Sequence, residues 1–165
     1  MDFASMYEFF MRELRLMHSP VGMKFIFDEE ELEAFRVLGI HHTPTRPLTF
    51  CQAELGARME GITVLLEPKK LWCTDARCVF GIDGVTDEIV SDLGKFSESP
   101  EQARRFAESK PRMERSVLGV VLSPLRISPC SRTLCTSAVI ICRHTIWSMT
   151  GWLCAMYIPS GLRSA

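Results

Sequence analysis

Acidic residues stop at Glu114, although they are frequent from Asp2 up to that point. From Arg115 to Ala165 the chain contains no Asp, no Glu and no Lys. About a quarter of the residues in an ordinary soluble domain are charged, so a segment of this length should hold roughly six acids. The C-terminal segment therefore does not continue the composition of the first part, and the two parts have to be interpreted separately.

The tail from about residue 126 to 165 has three explanations: a membrane segment, a separate module, or a tail that is not native to the domain. It also holds four of the seven cysteines, which are Cys130, Cys135, Cys142 and Cys154. The first 125 residues are consistent with one coherent soluble domain that the tail does not continue, so we predict one α+β domain over residues 1–125. The prediction for residues 126–165 is an atypical tail that is frame-shifted or disordered.

A membrane helix is disfavoured in this tail. A spanning helix needs about 20 predominantly apolar residues, whereas Arg143 and His144 interrupt the apolar stretch between Thr133 and Pro159. An Arg at the centre of such a helix costs about 3 kcal/mol on insertion scales. A soluble tail is therefore the preferred interpretation.

The length, the net charge and the N-terminal sequence of the chain narrow its class of protein and its cellular compartment. A domain of this length can bury roughly two-thirds of its unfolded surface, so it needs no disulfide scaffold. The net charge of −1 gives no reason to expect nucleic acid as a partner. Charged residues between Glu8 and Arg15 interrupt the apolar N-terminal residues, so no signal peptide is predicted. We expect a cytoplasmic protein whose cysteines are buried thiols, metal ligands or reactive groups.

Apolar periodicity over the first 125 residues predicts an α+β domain in which amphipathic helices pack on a small sheet. Alternating or continuous apolar runs predict three strands, at Val21–Phe27, Ile62–Leu66 and Val117–Leu122. Apolar stripes at helical spacing predict the packing helices, whose faces carry Phe10, Leu55, Ile89 and Phe106.

Local start and stop signals bound the helices. Thr49 is expected to cap a helix that Gly61 ends. Ser99 is expected to cap another, because Pro follows it directly and Gln lies three residues after it. The acid-rich stretch from Asp28 opens an earlier helix, since the helix dipole favours acids at the N-terminus. The pair Thr74-Asp75 is expected to cap a short helix.

Three cysteines are the candidate metal ligands: Cys51, Cys73 and Cys78. Cys73 lies just before a predicted helix and Cys51 lies near the start of another, where the dipole stabilises a thiolate. Thiolates of this kind bind soft metal ions and iron–sulfur clusters. A long gap followed by C-x4-C matches no standard zinc module, however, and free cysteines are often buried packing residues. Both interpretations stay open.

Adjacent histidines, His41 and His42, lie in a predicted loop. No carboxylate or cysteine lies at an obvious ligand spacing beside them, so we interpret them as exposed loop residues. They also provide the base for a different hypothesis, an enzyme with Cys73 as its nucleophile. The chain contains no dinucleotide, P-loop, zinc-protease or nucleophile-elbow motif that would point to a particular reaction.

Several short blocks of the chain, in order, resemble one family. They are Ser19-Pro20-Val21-Gly22-Met23-Lys24-Phe25; Phe50-Cys51-Gln52-Ala53 with Ala57-Arg58 and Gly61; Cys73 with Phe80-Gly81-Ile82; and Val120-Val121-Leu122-Ser123-Pro124-Leu125. On these blocks, residues from about 5 to 125 are similar to domain-of-unknown-function family 169, a family of archaeal and bacterial proteins.

The resemblance implies a cysteine at the positions of Cys51 and Cys73 and further cysteines in a longer C-terminal half. It therefore implies a metal or cluster site that contains these two residues, while Cys78 is not clearly part of it. The acidic, Pro-Asp-containing continuation that the family implies after Leu125 is missing here, which indicates a truncated or non-native C-terminal part. The tail cysteines are not carried over.

Three functions remain open on the sequence. The first is a cysteine-ligated metal or iron–sulfur protein with Cys51, Cys73 and Cys78 as candidate ligands. The second is a small-molecule binding module in which the cysteines are structural. The third is a cysteine-nucleophile enzyme that uses Cys73. The sequence does not constrain the oligomeric state.

Overall fold

The computed structural model describes residues 3–39 and 42–127, together with the backbone of segments 138–142 and 154–158. Its helices are α1 (Phe3–Glu13), α2 (Glu29–Leu38), α3 (Phe50–Leu55), α4 (Thr74–Val79), α5 (Asp87–Gly94) and α6 (Pro100–Ser109). Its strands are β1 (Val21–Ile26), β2 (Val64–Leu66), β3 (Gly119–Pro124), β4 (Ala138–Cys142) and β5 (Cys154–Ile158).

The strands form one antiparallel sheet in the order β2-β3-β1-β4-β5. β1 pairs with β3 along its whole length, from Val21 opposite Pro124 to Ile26 opposite Gly119. β2 pairs with the other edge of β3. The three predicted strands are therefore confirmed, and with them the α+β class with a small sheet and packed helices.

Alternate residues of each strand point to opposite sides of the sheet, so the β1–β3 core has two faces. Both faces are covered by a helix. The first face, here called the α3 face, packs against Ala53 and Ala57; its strand residues are Val21, Met23, Val64, Leu66, Val120 and Leu122. The second, here called the α2 face, packs against Leu32 and Phe35; its strand residues are Ile26, Leu65 and Val121.

Helix starts follow the cap signals of the sequence with one exception. Thr49 Oγ1 accepts the Gln52 N–H at 3.2 Å, and the Gln52 side chain accepts the Thr49 N–H at 2.9 Å, which completes a capping box. Ser99 caps α6. At α4 the cap is Cys73 rather than the expected Thr74-Asp75, because Cys73 is extended and its sulfur accepts the Ala76 N–H.

α3 does not end as an ordinary helix. From Gly56 to Glu60 it continues as a π-helical turn, and it stops at Gly61, whose φ of 71° is left-handed. The sequence correctly predicts that the helix runs from Thr49 to Gly61, but not that its second half is wider than an α-helix. Single π-helical turns inside helices are rare and occur frequently at functional sites.

Two glycines with nearly the same positive φ offer a matched test of backbone packing. A Cβ at Gly81 would lie 2.7 Å from the Met113 carbonyl oxygen, whereas a Cβ at Gly61 would meet nothing within 4 Å. Gly61→Ala should cost about 1–2 kcal/mol, because only the left-handed conformation is strained. Gly81→Ala should cost about 1–3 kcal/mol more, because the backbone must also move. Urea denaturation of both variants measures the difference, and equal losses would contradict the close approach at Gly81.

Candidate functional site

The three candidate cysteines lie in different surroundings. Cys51 is exposed on the first turn of α3, and Cys73 is half-buried as the N-cap of α4. Cys73 packs against the core of the α3 face. Cys78 is 1% exposed and belongs to a separate apolar cluster with Ile89 of α5 and Ala107 of α6. Exposure and packing therefore separate Cys78 from the other two.

Within residues 5–39 and 42–126, whose side chains the structure describes, no three His, Cys, Asp or Glu side chains come together to hold a metal ion. This finding covers Cys51, Cys73 and Cys78. A metal site that contains them would need ligands from outside the described residues. The prediction that they are metal ligands stays a prediction.

One of the two histidines of the cysteine-nucleophile hypothesis lies within the described residues. His41 lies outside the described residues. His42 is exposed, and its backbone runs beside β2, with its N–H donating to Thr63 O at 2.6 Å. The hydrogen-bond contact that the structure gives Cys73 Sγ is the Ala76 N–H at 3.4 Å. The enzyme hypothesis is likewise left as a prediction.

A buried ion pair between Glu54 and Arg58 lies on α3 and its π-helical turn. The residues that precede them, Ala53 and Ala57, are fully buried against the sheet. Alanines at these positions let the helix axis approach the sheet closely, so the next residues along the helix are covered as well. The side chains of Glu54 and Arg58 are only 8% and 13% exposed.

The geometry of this pair leaves polar atoms without a hydrogen bond, although two of them lie in ion-pair contact. Nη2 of Arg58 lies 2.5 Å from Oε1 of Glu54. The two groups are not aligned as a hydrogen bond, and Glu54 Oε1, Arg58 Nε and Arg58 Nη2 are buried without a hydrogen-bond partner. Buried polar groups in native proteins are nearly always paired, so each exception requires an explanation. This pair is the most unusual polar feature of the described residues.

A second buried polar cluster lies on the α2 face. Lys24 of β1 is 2% exposed, and its Nζ lies 2.7 Å from Oε1 of Glu31, in the first turn of α2. Nearby in the sheet, Thr63 and Ser123 share a hydroxyl hydrogen bond of 2.9 Å. The charges and hydroxyls of this cluster have partners, which distinguishes it from the Glu54–Arg58 pair.

Two other guanidinium groups have a structural role. Hydrogen bonds to Glu67 and Glu33 raise the pKa of Arg36 above its usual value and tie α2 to the end of β2. A hydrogen bond to Asp83 raises the pKa of Arg77. Because the pKa of each arginine is raised from a value that is already high, both guanidinium groups stay charged throughout the physiological pH range.

The comparisons with known proteins show the family. The model of DUF169, described as "Uncharacterised ArCR", matches residues 10–150, which is most of the chain. The chain therefore belongs to the DUF169 family, as its sequence blocks predict. The match extends past Leu125, where the resemblance in the sequence blocks ends. No curated protein and no solved structure matches the chain.

Among the described residues, none of the helices has the length and apolar character required to cross a membrane.

The Glu54–Arg58 pair can be tested as a structural element by a double-mutant cycle. Arg58→Met should cost about 3–5 kcal/mol of unfolding free energy, because it leaves the Glu54 carboxylate buried without its counter-charge. Glu54→Leu/Arg58→Met should recover most of that loss, since replacing a buried ion pair with apolar groups is often neutral or stabilising. Urea denaturation of the wild type, both single variants and the double variant gives the coupling energy. Independent, additive losses would contradict the buried pair.

Proposed function

We propose that this chain is a small-molecule binding module whose ligand contacts the Glu54–Arg58 pair on α3. The observation that carries the proposal is that Nε and Nη2 of Arg58 are buried and make no hydrogen bond, although Nη2 lies 2.5 Å from Oε1 of Glu54. Leaving a buried donor unpaired costs about 1–3 kcal/mol, and more for a charged group. A ligand that accepts from these donors would offset that cost when it binds.

The surroundings of Arg58 support the same proposal. The residue lies within the π-helical turn Gly56–Glu60, and turns of this kind are frequent at functional sites. The pair contributes little as a stabilising element, because burying two charges costs about as much as their attraction returns. A functional role explains why the domain tolerates such a pair next to its core.

In this proposal the cysteines near the domain core are packing and capping residues. Cys78 fills an apolar cluster between α4, α5 and α6. Cys73 caps α4 through its sulfur and packs on the α3 face. Free cysteines commonly behave as small buried apolar residues, which supports this assignment.

The test is a ligand screen that compares Arg58→Met with a matched surface variant. Arg12 is an exposed arginine of α1, so Arg12→Met makes the same chemical change at the surface. Thermal unfolding of the wild type with a panel of neutral, cationic and anionic small metabolites should reveal compounds that raise the Tm, since a ligand that binds only the folded state stabilises it.

The Tm increase should persist in Arg12→Met and disappear in Glu54→Leu/Arg58→Met, which is expected to fold even if the single Arg58 variant does not. Compounds that stabilise all variants equally would place binding elsewhere and overturn the proposal. A panel with no stabilising compound would overturn it as well.

Cysteine-ligated metal or iron–sulfur binding is the second candidate function. It is favoured by the position of Cys73, whose sulfur accepts a backbone N–H at the start of α4; such positions stabilise a thiolate. Cys51 is exposed at the start of α3.

If this second function holds, protein purified without oxygen should show visible thiolate-to-iron absorption, or bound zinc by elemental analysis, and Cys73→Ser should lose it. If the cysteines are packing residues, the wild type and Cys73→Ser should both lack visible absorption and stoichiometric metal. Urea denaturation of Cys73→Ser against the wild type is the control for loss of fold, because Cys73 also packs against the core of the α3 face. Iodoacetamide reactivity of Cys73 near neutral pH addresses the cysteine-nucleophile alternative in the same preparation.

A further inference from the structure

We infer that the ligand of the α3 site presents an oxyanion, a carboxylate or a phosphate, which binds Arg58 in place of Glu54. This inference rests on the proposed binding function and adds the chemical class of the ligand. It follows from which atoms of Arg58 lack partners, from the poor fit of Glu54 to those atoms, and from the position of the pair on the helix.

The two donor atoms of Arg58 that make no hydrogen bond define which chemical group would fit them. Nε and Nη2 are adjacent on one edge of the guanidinium group, and both are buried without a hydrogen-bond partner. Their N–H groups point in parallel, which is the arrangement that binds two oxygens of one carboxylate or phosphate. A neutral carbonyl offers one oxygen and a cationic group is repelled by the guanidinium, so an oxyanion fits this edge best.

Glu54 supplies the opposite charge without supplying the hydrogen bonds. Its Oε1 approaches Nη2 to 2.5 Å, yet that oxygen is itself without a hydrogen-bond partner. The carboxylate and the guanidinium are anchored four residues apart on the same helix, and that tether restricts how the two planes can align. An oxyanion from a free ligand has no such tether and can take both donors at once.

The position of the pair on the helix allows Glu54 to move aside. The residue that follows each member of the pair along the chain, Leu55 and Met59, is more than half exposed, at 53% and 55%. The pair therefore lies between the line of alanines that contacts the sheet and an exposed line of the same helix. Rotation of the flexible Glu54 side chain toward that exposed line would free Nη2, the donor atom that Glu54 contacts.

Charge balance then makes Glu54 a competitor of the ligand. With Glu54 in place the pair is neutral, and an incoming oxyanion meets a like charge at close range. Glu54→Gln keeps the size of the side chain and removes that charge, so it should tighten oxyanion binding about tenfold. Arg58→Lys keeps the charge of the site but loses the two-pronged donor, so it should weaken binding about tenfold or more.

The experiment follows the Arg58 Nε–Hε signal by NMR in the full chain, with inorganic phosphate and acetate as probes at constant ionic strength. The Arg58 signal should move as either probe is added through the millimolar range, while the Arg12 signal serves as the exposed control. The stronger of the two probes distinguishes a phosphate ligand from a carboxylate ligand. Glu54→Gln should shift the titration to lower concentration, and the Glu54→Leu/Arg58→Met variant should give no site-specific response.

Failure of this inference can be told apart from failure of the proposed function. If neutral or cationic metabolites stabilise the protein through Arg58 while phosphate and acetate leave its Nε–Hε signal unmoved, the binding site stands and the oxyanion class is wrong. If Glu54→Gln weakens probe binding, Glu54 is part of the ligand contact and the displacement is wrong. If no compound and no probe acts through Arg58, the proposed binding function and the oxyanion inference are both wrong.

Discussion

The register of β1 against β3 is the constraint on which the rest of the domain depends. Six consecutive residues of each strand pair, from Val21–Pro124 to Ile26–Gly119. A slip of one residue would exchange the two faces of a strand. Here both faces are covered, one by α3 and one by α2, so a slip would misplace the residues of both cores at once. The long pairing therefore fixes which helix each strand residue contacts.

The same register explains why a charged residue is buried in the sheet. Lys24 lies between Met23 and Phe25, which face α3, so the alternation of the strand directs it to the α2 face. The first turn of α2 brings Glu31 to its ammonium group at 2.7 Å. On that face a buried charge has a partner supplied by a neighbouring element. On the α3 face, by contrast, both members of the Glu54–Arg58 pair come from α3 and its π-helical turn.

Local patterns in the sequence predicted the fold well because they reflect local physics. Strand alternation located β1, and cap residues such as Thr49 and Ser99 located helix starts, since each acts on neighbouring backbone groups. The cap of α4 was misplaced by one residue, because cysteine is a weak acceptor that cap preferences do not favour. The boundary near residue 125 stays a prediction; the family match runs to residue 150, and β4 pairs with β1 at Val21–Met23.

The candidate site could not be predicted in the same way, and the reason is physical. Glu and Arg four residues apart on a helix usually form an exposed pair worth only a few tenths of a kcal/mol. What distinguishes Glu54 and Arg58 is the close approach of α3 to the sheet, which depends on Ala53 and Ala57 meeting strands that are distant in sequence. Arg58 was part of a family block, yet sequence assigned it no role, whereas the cysteines attracted attention through their chemistry alone. Burial turns an ordinary surface pair into two charged groups with unpaired atoms, so long-range packing, rather than residue type, is what makes Arg58 the candidate ligand-binding residue.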